Sequence, residues 1–114
     1  MSKLYKIAPV TLWRQAEYDG VFRGSAHDLR DGFIHFSTAE QAAETAAKHF
    51  AGQDDLLLIA VDGAALGDAL KWEVSRGGAQ FPHLYGELAL SAVVSVTALP
   101  LGPDGRHDFP PLDA

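Results

Sequence analysis

The chain is predicted to be a single α+β domain with mixed or antiparallel sheets and two main helices, and three features of its 114 residues carry that prediction. Five or six short apolar or β-branched runs are spread along the sequence, whereas helical spacing occurs clearly only twice, both times in the N-terminal half. The alternation of strand and helix that a doubly wound parallel sheet needs therefore fails in the second half. GxGxxG and Walker fingerprints are both absent, which removes the main support for a Rossmann or P-loop domain. A hydrophobic fraction of 47%, with 21% charged and 10% aromatic residues, is that of an ordinary globule with one core.

Leu4 to Ala8 reads as a first strand, closed by Pro9, which has no N–H to give a ladder. Thr11 is the expected cap of a helix that puts Leu12, Trp13 and Ala16 on its apolar side and stops near Gly20. Residues 23–30, mostly polar and carrying Gly24 and Ser25, read as a loop. Phe33 to Phe36 is a strand by content, and two overlapping capping boxes follow it, Ser37 with Glu40 and Thr38 with Gln41. The helix behind them runs to about Phe50 and is expected to place Ala42, Ala43, Ala46, Ala47 and Phe50 on one stripe.

Leu56 to Val61 is apolar at every position, the pattern of a central strand buried on both faces. A turn with one helical turn follows from Asp62. Leu70 to Val74 is a short strand, Gly77-Gly78 a turn, Phe81 to Tyr85 extended because Pro82 biases its predecessor away from helix, and Ala92 to Leu99 the last strand. Residues 1–99 form the expected domain; from Pro100 to residue 114 the composition shifts to Pro, Gly and Asp, which suggests a tail or surface loop.

A formal net charge of -6 is the opposite of what long RNA or DNA selects, since that affinity rests on Lys and Arg displacing counterions. A small nucleotide-like ligand stays open, because a few cations such as Lys6, Arg23, Arg30 or Arg76 set the sign of one pocket. The absence of cysteine excludes disulfides, thiolate metal sites and Cys nucleophiles. No run is long enough to cross a bilayer and the N-terminus lacks the apolar core of a secretion signal, so the expected location is cytoplasmic.

Two clusters stand out for chemistry. In an extended Phe33 to Ser37, alternation puts His35 and Ser37 on one face at a strand end where a helix begins, with Thr38 next in line, a setting that suits a phosphate or ribose. Against this stands the plain alternative of a capping Ser37 and a core His35 bonded to backbone. In Phe81-Pro82-His83-Leu84-Tyr85-Gly86, extended geometry places His83 and Tyr85 together, an imidazole and a phenol suited to an aromatic ligand; ordinary turn chemistry is the rival account. Glu73 beside Trp72 is a carboxylate able to stabilise positive charge on a sugar, although such residues are mostly solvated. The five histidines include no pair spaced four apart on a predicted helix and no HExxH, and no metal site is assigned. No GxSxG elbow supports a Ser-His-Asp hydrolase.

Taken together, LYKI at 4–7, Trp13 with Ala16 and Gly20, DGFIHFST at 31–38 with Gln41, Trp72-Glu73 and FPHLYG at 81–86 resemble the DUF952 family, small bacterial domains of unknown function. More remotely, the order of LYK, a helix ending in Gly, IHFST, LLLIAVD and a Trp-Glu strand is similar to the catalytic half of RNA 2'-phosphotransferases, whose corresponding stretch reads Val-His-Leu-Ser. That likeness implies an ADP-ribosyltransferase-like fold, split sheets around a cleft for NAD. It further implies that His35 and Ser37 orient the nicotinamide-side ribose, Lys6 neutralises pyrophosphate, Tyr85 stacks on nicotinamide, and Glu73 or His83 meets developing oxocarbenium charge.

Two departures qualify the likeness. Lys6 stands where those enzymes have His, and an ammonium lacks the directed hydrogen bond of an imidazole. None of these 114 residues resembles the RNA-binding module of those enzymes, which agrees with the acidic charge, and a small molecule or a protein is the expected acceptor. Three functions follow as expectations: ADP-ribosyl transfer or NAD glycohydrolysis, a non-catalytic nucleotide-binding module, and a metal-dependent hydrolase using His35 and His83.

Overall fold

A computed structural model of the chain describes residues 3–113; the side chain of Arg76, one of the cations singled out above, lies outside the described residues. The elements run β1 (Lys3–Pro9), α1 (Val10–Asp19), β2 (Val21–Phe22), α2 (Ala26–Asp31), β3 (Ile34–His35), α3 (Ala42–His49), β4 (Leu56–Asp62), β5 (Leu70–Val74), β6 (Gln80–Leu84), β7 (Leu88–Ala89) and β8 (Val93–Leu99), with 3-10 turns before β5, β6 and β8. The strands make three antiparallel sheets, in orders β1-β4-β8, β2-β7 and β3-β6-β5. An α+β class with several antiparallel sheets is what the strand-rich second half foretold.

The continuous apolar run of β4 is explained by its place between β1 and β8, with a core on each face. Leu57, Ile59 and Val61 point into one cluster, with Leu4, Trp13, Ala16, Ile34, Phe36 and Leu84. Leu56, Leu58 and Ala60 point into the other, with Tyr5, Ile7, Ala42 and Ala46. The segment after β8 closes this second core: Phe109 and Leu112 pack against it, and Asp113 pairs with Lys3 at 2.7 Å.

The helix starts differ from the expected ones. The first helix begins at Val10 behind Pro9 with no side-chain cap, so Thr11 lies inside it and does not cap it; its end is Gly20, left-handed at φ 84, whose N–H reaches Ala16 O at 2.8 Å. Between the two capping boxes the structure selects Thr38 with Gln41: Gln41 N–H donates to Thr38 Oγ1 and Thr38 N–H to Gln41 Oε1, and α3 follows. Ser37 is not a cap; it bridges Tyr5 of β1 through two backbone hydrogen bonds of 2.8 and 2.9 Å. Ala43 and Ala47 face solvent, so the buried stripe of α3 is narrower than the Ala spacing suggested.

Residues 23–30 are not a loop. From Ala26 onward they belong to α2, six residues opened by a capping box in which Ser25 Oγ accepts from Asp28 N–H and Asp28 Oδ2 accepts from Ser25 N–H. Gly24 is required in front of it, because a Cβ at that position would stand 2.8 Å from Asp28 Cβ and its φ is 115. Just before this stretch β2 pairs with β7, two short strands that composition does not reveal.

A cleft walled by two carboxylate-held histidines

The chain from Ile34 to Ser37 passes from one sheet to another. It begins paired with β6, Ile34 opposite Leu84 and His35 opposite His83, and ends bridged to β1 at Tyr5. Alternation then does what the sequence implied: Ile34 and Phe36 enter the core, and His35 and Ser37 turn to the other face. That face borders a cleft of about 1030 Å³, with Lys6, His27, Asp28, Asp31, His35, Ser37 and His83 in its wall.

Asp28 is the anchor of the first half of the site. Its buried carboxylate accepts from Lys6 Nζ at 2.8 and 2.9 Å, from Ser25 N–H at 2.8 Å, from His35 N–H at 3.1 Å, and contacts His35 Nδ1 at 2.7 Å. Burial alone would raise this carboxyl, but the His35 hydrogen bond and the Lys6 ammonium outweigh it and hold Asp28 well below the usual carboxylate range. Lys6 is equally buried; desolvation draws its ammonium below the ordinary Lys value, opposed by Asp28. Lys6 therefore meets its counter-charge inside the protein.

His35 Nε2 lies 3.0 Å from Asp31 Oδ2, so each nitrogen of this ring faces a carboxylate. His27, one turn before Asp31 on α2, brings its Nε2 to 3.4 Å from the same Oδ2 and its ring to 4.4 Å from that of His35. Burial first, then the neighbouring His35, lowers the pKa of His27, with Asp31 opposing. Ligand atoms of His27, Asp31 and His35 all lie within 4.8 Å of one another, and that trio, rather than His35 with His83, has the spacing of a metal site.

The second half of the site comes from register. Antiparallel β5 and β6 set Glu73 and His83 on one face, and His83 Nδ1 contacts Glu73 Oε1 at 2.8 Å; Tyr85 O–H donates to the same oxygen at 2.7 Å. The Tyr85 bond, then that of His83, lowers the carboxyl of Glu73, and the same contact raises the phenol of Tyr85. Phe33 stacks on His83 with centroids 4.1 Å apart and an interplanar angle of 25°. His83 is 4% exposed, yet it belongs to the cleft wall, and its ring stands 5.4 Å from that of His35.

Of the residues chosen from sequence, Lys6, His35, Ser37 and His83 share the cleft; Glu73, Tyr85 and Thr38 do not line it. Glu73 contacts His83 and Tyr85 donates to Glu73, Thr38 is spent on its capping turn, and Ser37 Oγ is 2.8 Å from Thr45 Oγ1. Asp28, His27 and Asp31 escaped sequence reasoning. The signals were present, a Ser-x-x-Asp capping spacing at 25–28 and a His and an Asp four apart at 27 and 31, but both lay in or at the edge of the stretch read as a loop.

Comparison with known proteins adds a family and near relatives in structure. Residues 7–96 match the model of a family described as a protein of unknown function, DUF952. The crystal structure of protein CC0527 from Caulobacter crescentus superposes with a TM-score of 0.91 at 52% identity, covering 94% of either chain. The solution NMR structure of the same protein gives 0.83 at 54% identity over 93% of this chain and 91% of that one. No curated protein matches. No helix among the described residues is long and apolar enough to cross a membrane.

Proposed function

The chain belongs to the DUF952 family of proteins of unknown function, and on that premise we propose that its cleft binds NAD or a closely related nucleotide in the manner of an ADP-ribosyltransferase-like domain and breaks the nicotinamide–ribose bond. One observation carries this reading: His35 and His83, directly opposed on neighbouring strands, each present an imidazole whose Nδ1 side is held by a carboxylate, in the wall of a cleft large enough for a dinucleotide. Histidines oriented in this way are suited to move a proton and to stabilise charge.

In this reading the bond from ribose C1' to the nicotinamide nitrogen breaks and its electron pair leaves with nicotinamide. An acceptor oxygen, of water or of a hydroxyl on a small molecule or protein, bonds to C1' and gives up its proton to an imidazole. His83, backed by Glu73, meets the positive charge on the ribose; His35, exchanging the Asp31 contact at its Nε2 for the ligand, and Ser37 orient its hydroxyls. Lys6 serves by holding Asp28, and so His35, in place, and Tyr85 serves by holding Glu73; these roles replace the direct contacts to pyrophosphate and nicotinamide that the family likeness implied.

The expected result is a rise in melting temperature when NAD is added to chelator-treated protein. At ten times the dissociation constant the gain is about 1.4 kcal/mol, worth roughly 4–8 °C per kcal/mol in a domain near this size. His35→Ala and His83→Gln, each compared with its own melt in the absence of NAD, lose the rise. A wild-type melt unmoved at millimolar NAD contradicts the reading. The Lys6–Asp28 pair, standing where the transferase likeness calls for a His, favours a second reading, a binding module without turnover; the two part on nicotinamide release, expected for the first and absent for the second.

A further inference from the structure

We propose that His27, Asp31 and His35 form a three-ligand site for a divalent transition metal of the zinc class, set in the wall of the cleft. The donor set is two imidazoles and one carboxylate, the mixture that suits zinc and its neighbours better than magnesium or calcium, which take oxygen ligands. In a tetrahedral zinc site, ligands at about 2.0–2.1 Å from the ion stand about 3.3 Å from each other. The contacts of Asp31 Oδ2 with His35 Nε2 at 3.0 Å and with His27 Nε2 at 3.4 Å bracket that edge, and the three ligand atoms fit within 4.8 Å.

A second observation points the same way. Metal-bound histidines are held at their other nitrogen by a carboxylate or carbonyl, and the buried Asp28 does this for His35 at 2.7 Å while Lys6 and the Ser25 amide hold Asp28. His35 also has carboxylates at both nitrogens, and a neutral imidazole donates from only one. An ion shared by His35 Nε2 and Asp31 satisfies both sides of the ring at once.

One contact competes. Arg30 Nη2 donates to His27 Nδ1 at 2.7 Å, which leaves the proton of a neutral His27 on Nε2, the atom the metal needs. Arg30 is largely exposed, so binding requires that it swing aside and that the His27 proton move to Nδ1. Three protein ligands leave at least one coordination position open, and since all three line the cleft, that position takes water or an anionic oxygen of a cleft ligand.

The proposal is independent of NAD and is tested with metal alone. Untagged, chelator-treated protein is titrated with zinc chloride by calorimetry, and then loaded with Co²⁺ as a spectroscopic stand-in. One zinc per chain is expected, with magnesium failing to compete and Co²⁺ giving the visible absorption of a four- or five-coordinate ion. His27→Ala and Asp31→Asn, both at exposed positions where circular dichroism melts report an intact fold, each weaken zinc by at least tenfold. Absence of zinc binding in wild type overturns the site, and so does binding that survives either substitution undiminished.

Discussion

Asp28→Ala is expected to destabilise the protein by about 3–5 kcal/mol, the typical cost of removing one partner of a buried ion pair. Among the described residues the carboxylate is the counter-charge of Lys6, whose side chain is 7% exposed, and it also serves the Ser25 amide and two nitrogens of His35. Its loss leaves a desolvated ammonium and frees the first turn of α2. Adding Lys6→Met to Asp28→Ala is expected to recover much of the deficit, because the cost lies in the unpaired charge more than in the missing bond; denaturant titration of the four proteins of this cycle measures it. An equal loss in the double variant would assign the effect to the cap and to His35 instead.

The same residue sets an acid limb. The Asp28 carboxyl is held below its unfolded value of about 3.9, so its stabilisation is complete above that value and drains away as pH falls beneath it toward the folded one. Wild type is thus expected to lose stability steeply below about pH 4, and Asp28→Asn, which keeps the size of the side chain, to show a shallower acid limb. Equal slopes in the two would contradict the depressed pKa.

Trp13→Ala is the other large effect, about 3–5 kcal/mol. Trp13 is 1% exposed and fixes α1 over the core, with its ring 5.5 Å from that of Phe22. Its indole Nε1 is buried with no hydrogen-bond partner among the described residues. Trp13→Phe therefore gives up packing volume while relieving an unsatisfied donor, two terms of opposite sign, and is expected to stay within about 1.5 kcal/mol of wild type. Thermal unfolding of the three proteins checks both values; a Phe variant as damaged as the Ala variant would mean that the N–H finds a partner after all.

These two residues mark what the sequence could and could not convey. Trp13 announced itself through helical spacing with Ala16, and β4 through six apolar residues in a row, because burial on one or both faces writes a local pattern. Asp28 wrote none of the kind. Its partners Lys6 and His35 lie 22 and seven residues away, and an ion pair assembled across β1, α2 and β3 leaves no periodicity to detect.

In the sequence His83 stands out for its Pro-His-Leu-Tyr setting and Glu73 for its neighbouring Trp; only the β5–β6 register, which no single strand encodes, joins them. The six residues of α2 are hard to read for a different reason. A polar helix this short has no apolar stripe, and its Ser25–Asp28 capping spacing sits in loop-like composition. Those six residues include His27 and Asp31, so the wall of the cleft beside His35 was legible only in three dimensions.

His35 and His83 share the wall of one cleft, and long-range proton–nitrogen spectra of the histidine rings during an NAD titration of metal-free protein observe them directly. The expected result is a saturable shift of the His35 and His83 Nε2 resonances, with His107, whose Nε2 lies 2.7 Å from the Gln53 carbonyl, left in place. Spectra in which neither His35 nor His83 responds at millimolar NAD, or in which all three rings drift together without saturation, would contradict it.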